Sequence, residues 1–189
     1  TRGRPERCLA IREEWLSRRG EIVLARTWKE VRPDLPPIER EIIKVPLDRD
    51  DNLAVDLAAV ELAKAGTQHI PITVLGRYRQ AVGKFKVGRA VELVEQRTGP
   101  IVVGVWHKTI ARAIAKRLHG NPVYVMTGDD DGETRAQTIE AWNLDPFGIL
   151  IVTLQVAQVG IDLSHADTTI VVEIDWTPAV LYQAMMRTF

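Results

Sequence analysis

Beyond Gly83 the chain settles into short apolar runs separated by amphipathic stretches. The spacing predicts a helix over Val87–Gln96 and a strand over Ile101–Trp106, then a helix over Thr109–Leu118 and a strand over Val123–Met126. A helix over Glu133–Trp142 precedes a strand over Ile149–Thr153, and a strand over Thr169–Ile174 leads into a helix over Ala179–Arg187. The strand runs hardly alternate between polar and apolar residues, which suits strands buried on both faces. Strands alternating with helices predict an α/β fold: a central, mainly parallel sheet with right-handed crossovers and helices on both faces.

Upstream the pattern is less regular. Pro5 suits the first turn of a helix, and Leu9, Ile11, Trp15 and Leu16 supply apolar positions before Gly20. Ile22–Ala25 reads as a short strand, and Pro33, Pro36 and Pro37 mark a linker or turn. Glu39–Val45 reads as a further strand. Asn52–Ala65 has helical spacing at Leu53, Leu57, Val60 and Leu62, with Asp50 or Asp51 as cap and Gly66 as stop. The main boundary is placed near residues 66–84. Residues 1–83 then form an amino-terminal helical and linker extension, and residues 84–189 the α/β domain.

Composition narrows the class only a little. Of the 189 residues, 46% are hydrophobic and 26% charged, as in an ordinary globular domain. No apolar run approaches the roughly 18–20 residues of a membrane span, so no membrane partner is expected. The single cysteine, Cys8, excludes an internal disulfide and fits a reducing compartment. With no Cys/His cluster at ligand spacing, no protein-only metal site is expected, and the consecutive Asp129, Asp130 and Asp131 cannot all face one ion. The net charge of zero hides an asymmetry: Gly76–Arg117 carries ten Lys/Arg against two Glu, and Leu118–Phe189 two Arg against ten Asp/Glu. A basic block of this kind attracts a phosphate backbone; solvated helix faces are the plainer alternative.

An open parallel sheet puts its working loops at the carboxyl ends of the strands. Those ends are Trp106-His107-Lys108, Thr127-Gly128-Asp129, Thr153-Leu154-Gln155 and Asp175-Trp176, all rich in polar or small residues. In order and spacing, a longer series of segments resembles the carboxyl-terminal RecA-like lobe of Swi/Snf-type superfamily-two helicases. It comprises Leu24–Thr27 with Leu35-Pro36-Pro37, Ile101–Lys108, Thr127-Gly128 with Arg135, Thr153 through Gly160–Leu163 with Ala166-Asp167, and Asp175–Pro178 with Gln183–Arg187. Trp106-His107-Lys108 leans towards the HARP-like annealing-helicase branch.

The resemblance implies a RecA-like three-layer domain and gives the polar residues roles. Arg187 and Gln183 are the catalytic candidates, and Gly160, Asp162 and Arg187 the ATP-binding ones. His107, Lys108, Thr127, Gly128, Arg135, Thr153 and Gln155 are the candidates for nucleic-acid contact. Each has a plainer reading as a capping, packing or salt-bridging residue. The implied ligands are ATP with Mg²⁺, the ion being held mainly by the amino-terminal RecA-like lobe of the same polypeptide, and double-stranded DNA gripped through its phosphates. An intracellular location is expected, in a microbe, a virus-infected cell or the nucleus. The chain contains no G-x-x-x-x-G-K-[ST] loop and no D-E-x-H box, and the family's R-x-x-R motif is expected to continue past Phe189. Rival readings are an RNA helicase, a restriction-enzyme motor, and a non-catalytic lobe retained for docking a partner.

Overall fold

Four apolar runs pair into one wholly parallel sheet: β1 (Ile101–Val105), β2 (Val123–Met126), β3 (Ile149–Thr153) and β4 (Thr168–Val171), in the order β2-β3-β1-β4. The computed structural model describes residues 13, 14, 17, 39–46, 53–64, 71–157, 160–175 and 177–188. The chain divides into two units, residues 1–43 and 44–189. In the first, Glu13, Glu14 and Ser17 are helical; the expectations for Pro5, Ile22–Ala25 and the proline-rich linker lie outside the described residues, as do Asp50, Asp51, Gly66 and Trp176.

In the second unit the helices are α1 (Leu53–Lys64), α2 (Ile72–Glu95), α3 (Lys108–Arg117), α4 (Gly132–Asn143), the single turn α5 (Leu154–Ala157) and α6 (Pro178–Met185). A 3-10 turn, Met186–Thr188, follows α6. Alternate strand residues divide between two cores. Val103, Val105, Ile149 and Ile151 pack with Val87 and Val94 of α2 and with Ile110 and Ile114 of α3. Val102, Leu150 and Val152 pack on the other face with Trp142 of α4, Leu154 of α5, Leu163 and Ala184 of α6.

This division follows from the strand order. From β1 the chain crosses past β3 to β2, then turns back through α4 to β3. Crossovers of a single hand put helices that run in opposite directions on opposite faces. The result is the expected three-layer, RecA-like arrangement. Register is continuous across the sheet, with Val105 opposite Thr153, Gly104 opposite Val171 and Met126 opposite Val152.

The observed elements depart from the expected ones in three places. Helix α2 begins at Ile72 rather than Val87, so a division between residues 83 and 84 falls inside a continuous helix. The basic stretch with Gly76 and Gly83 reads as a break in sequence. In space, Gly83 is buried because α2 passes close to the exit of β4. Strand β4 stops at Val171 instead of Ile174, since Val172 makes the last ladder bond to the carbonyl of Gly104 at 2.9 Å and Glu173 then turns inward. Residues 39–46 are irregular, with Ile42 91% exposed; among the described residues the run pairs with no other strand, and an unpaired run does not hold as one.

Ile151 is fully buried, and Ile151→Ala should lower unfolding free energy by about 2–5 kcal/mol in urea titrations. Ile72→Ala, at an exposed helix start, should stay within about 0.5 kcal/mol. Asp131 caps α4 by accepting from the Thr134 N–H at 2.8 Å, which holds its carboxyl below the usual range. Its contribution is therefore complete above its unfolded-state value near ~4 and lost as pH falls through the lowered folded value. Asp131→Ala should remove this part of the acid limb from a plot of stability against pH.

Candidate functional site

The strand exits share one edge of the sheet, in the spatial order Thr127, Thr153, Trp106-His107 and Glu173. Strand β1 feeds α3 on one face, whereas its neighbours β3 and β4 feed elements packed on the other. His107 and Lys108 thus stand where the winding reverses, the place at which open α/β sheets receive ligands.

At the β2 exit Thr127 is buried and tied down. Its N–H donates to Asp130 Oδ2 at 2.6 Å, its hydroxyl accepts from the Asp129 N–H at 3.2 Å, and its carbonyl accepts from Arg135 Nη2 at 3.4 Å. Asp129 pairs with Lys108 and, at 3.5 Å, with Arg112; the Lys108 hydrogen bond holds its carboxyl below the usual range. Asp129, Asp130 and Asp131 therefore serve three different partners. The Lys108 stem runs beside the exposed Gly128 and bridges the exits of β1 and β2. Between them Thr153 is buried, its Oγ1 without a partner among the described residues, and Gln155 is exposed on α5.

The later segments meet through the backbone. The Leu163 N–H donates to the Arg187 carbonyl at 3.0 Å, which brings Arg187 beside Gly160-Ile161-Asp162. Gly160 has φ 58°, a conformation that favours glycine, and a Cβ there would meet nothing within 4 Å. Asp162 holds its own loop: Oδ1 accepts from the Ser164 N–H at 2.9 Å, which lowers its carboxyl's pKa. Gln183 and Arg187 are both exposed, the first on α6 and the second in the 3-10 turn, so the expected single helix face is interrupted between them. Gly160, Ile161 and Asp162 also line an open cleft of about 600 Å³ with Arg135 and the outer side of α4. Arg135 Nε is buried there without a partner among the described residues. The structure thus groups Arg135 with Gly160 and Asp162 as well as with Thr127.

Sequence reading missed the group that organises the β1 exit. Glu173, 5% exposed, accepts from the N–H of Trp106 at 2.9 Å and of His107 at 2.8 Å, and lies 2.6 Å from His107 Nδ1. Arg79 of α2 lies over the Trp106 ring at 4.9 Å and donates to the Ile174 carbonyl, while Lys86 donates to the Val172 carbonyl at 3.1 Å. Burial lowers the Arg79 pKa, and Glu173 and Asp175 act against that shift. The signal was a lone carboxylate in the apolar run Ile170–Ile174, because a buried charge demands partners.

Among the described residues no group of three or more His, Cys, Asp or Glu could hold a metal ion, and no helix is long and apolar enough to cross a membrane. What this edge offers is a row of hydroxyl, amide, backbone and cationic groups.

Comparison with known proteins agrees with that arrangement. Residues 85–189 match the helicase conserved C-terminal domain. The TATA-binding protein-associated factor BTAF1 of Arabidopsis thaliana is 33% identical over 93 residues, 46% of this chain and 4% of that protein. The TATA-binding protein-associated factor mot1 of Aspergillus fumigatus is 36% identical over 63 residues, 33% of this chain and 3% of that protein. The chain therefore spans only a few hundredths of the length of these relatives. In fold it is similar to the Sulfolobus solfataricus SWI2/SNF2 ATPase core domain, with a TM-score of 0.63 at 14% identity over 93% of this chain and 43% of that one. The chain belongs to the helicase conserved C-terminal domain family and has the fold of a RecA-like lobe.

Proposed function

We propose that this lobe is half of a composite engine that hydrolyses ATP and moves along duplex DNA. The observation that carries the reading is the 3.0 Å hydrogen bond from Leu163 N–H to the Arg187 carbonyl. It ties the backbone that bears Arg187 to the Gly160–Asp162 segment, so the two form one surface for a nucleotide held by a facing amino-terminal lobe. Arg187 carries a planar, permanent charge suited to stabilising a γ-phosphate as it leaves. Gly160 lets backbone approach the nucleotide, and Gln183 lies on the same stretch. Mg²⁺ would be held mainly by the facing lobe, together with the phosphates of the nucleotide. ATP bound between two such lobes supplies the energy, and closure of the cleft shifts one along the nucleic acid.

The strand-exit edge is the surface for the phosphate backbone. Lys108, the backbone of Gly128, Thr127, Thr153 and Gln155 are of the kinds that contact phosphate oxygens, and the unpartnered Thr153 Oγ1 supports a ligand there. Arg135 and His107 border the same edge. Contacts of this type read backbone rather than sequence, and the intracellular DNA of a cell or virus is the natural substrate. Trp106-His107-Lys108 supports the annealing-helicase branch within the family.

In the intact protein Arg187→Ala should lower kcat for DNA-stimulated ATP hydrolysis by about 10²-fold, and Arg187→Lys should not restore it. Unchanged turnover in both variants refutes the assignment. Stimulation by duplex should exceed that by single strands or RNA; the reverse order makes this an RNA engine. The 189-residue chain alone, with no phosphate-binding loop in its sequence, should show no turnover. Lys108→Ala should weaken duplex binding at low salt and reduce the slope of log affinity against log salt by about one unit.

A further inference from the structure

Glu173 is the most enclosed carboxylate of the strand-exit edge, and nothing in the proposed chemistry uses it. Its two oxygens meet three donors on one turn: Oε2 takes both backbone N–H groups of Trp106 and His107, and Oε1 faces His107 Nδ1. A carboxylate can only accept from these partners, so Nδ1 carries a hydrogen and Nε2 is the nitrogen left over. Among the described residues no hydrogen bond occupies Nε2, and the His107 side chain is 20% exposed. The next residue is Lys108, the first of α3.

Glu173 is itself held from behind. Lys86 and Arg79 of α2 donate to the carbonyls of Val172 and Ile174, on either side of it. Gly83, between them on the helix, leaves the gap that the carboxylate fills: a Cβ there would stand 2.5 Å from Oε1 and 3.0 Å from Cδ. Asp175 is the other acid close to Arg79. Three elements thus converge on one carboxylate, which meets the single turn from which His107 and Lys108 leave the sheet.

We propose that Glu173 is a positioning residue for nucleic-acid contact, fixing the Trp106–Lys108 turn so that His107 Nε2 and Lys108 Nζ face the backbone of the bound strand. Nε2 accepts from a water held by a phosphate oxygen, a bridge about as favourable as a direct bond. Lys108 exchanges its exposed partner Asp129 for a phosphate. The inference rests on the proposed nucleic-acid edge and adds the residue that sets its geometry.

The test uses the 189-residue chain, a fluorescein-labelled duplex of mixed sequence, and proton–nitrogen NMR correlations of the His107 ring. Glu173→Gln keeps the shape but turns an amide donor on Nδ1. The wild type should show hydrogen on Nδ1, and the variant should show it on Nε2. Duplex affinity should fall about fivefold, and the loss should not add to that of Lys108→Ala. Gly83→Ala provides an independent route: it pushes the carboxylate away while favouring the helix, so it carries the test if Glu173→Gln does not fold. It should weaken binding in the same direction. Hydrogen on Nε2 in the wild type, or a ring that ignores both variants, overturns the inference whatever the duplex does. So does a switched ring with unchanged affinity while Lys108→Ala still weakens binding, since Glu173 is then only structural. If His107→Ala and Lys108→Ala also leave affinity unchanged, the nucleic-acid edge itself fails and the inference falls with it, even though the ring result stands.

Discussion

A parallel sheet of strands only four or five residues long leaves no face for water, so this lobe depends on helices covering both sides of it. That constraint sets both the layering and the placement of polar groups. Val103 and Ile151 need α2 and α3, whereas Leu150 and Val152 need α4 and the small helices after β3. Because the strand order reverses, crossovers of one hand supply both coverings from a single chain. Polar groups are driven off the faces and collect at the strand ends. There the free N–H and C=O groups must find partners, which is why Asp130, Asp131, Arg135 and Glu173 all act on backbone.

The same accounting changes the meaning of the basic block. Ten Lys/Arg between Gly76 and Arg117 suggest a broad surface for phosphate. In the folded lobe Arg79 and Lys86 fasten α2 to carbonyls of the β4 exit, Arg77 and Arg89 face Glu61 and Glu92, and Lys108 and Arg112 share Asp129. These roles differ in how easily they are given up. Exposed ion pairs contribute little and are screened by salt, so Lys108 can exchange Asp129 for another anion at small cost. Lys86 reaches a carbonyl at the base of the β4 exit, where a lost donor leaves a polar group unsatisfied. The block is therefore part attachment and part available charge.

Legibility in the sequence divides along the same line. Strands β2 and β3 sit where their apolar runs put them: β3 is wholly buried, and the half-buried edge strand β2 still packs apolar residues on both faces. The loops rich in Thr, Gly and Lys fell at the carboxyl ends for the same reason. The first half of helix α2 is basic and holds two glycines, which hides it in the sequence; Arg79 and Gly83 make sense only against the β4 exit, nearly a hundred positions later. Glu39–Val45 has the composition of a strand and pairs with no described strand. Glu173 was absorbed into an apolar run as if it were one more strand residue. Its role depends on three donors from residues 106 and 107, and pairings of that separation leave no periodic trace.

In the proposed engine, Arg187 is a group that one lobe holds without completing a site. Its carbonyl is fixed by Leu163, a fully buried residue, while its side chain remains exposed. A fixed backbone with a free head group limits where the charge can go and leaves it available to a ligand. The neighbouring Gly160 and Asp162 behave alike: Asp162 closes its own loop through Ser164, and the glycine stays open. An arginine needed by this lobe's own packing would be drawn into a salt bridge or onto a carbonyl, as Arg79 is. Preorganisation of this sort lowers the entropy lost when a second surface closes on the group, and it has value only if such a surface arrives. Under the proposed reading, the chemistry then lies at the meeting of two lobes rather than inside one.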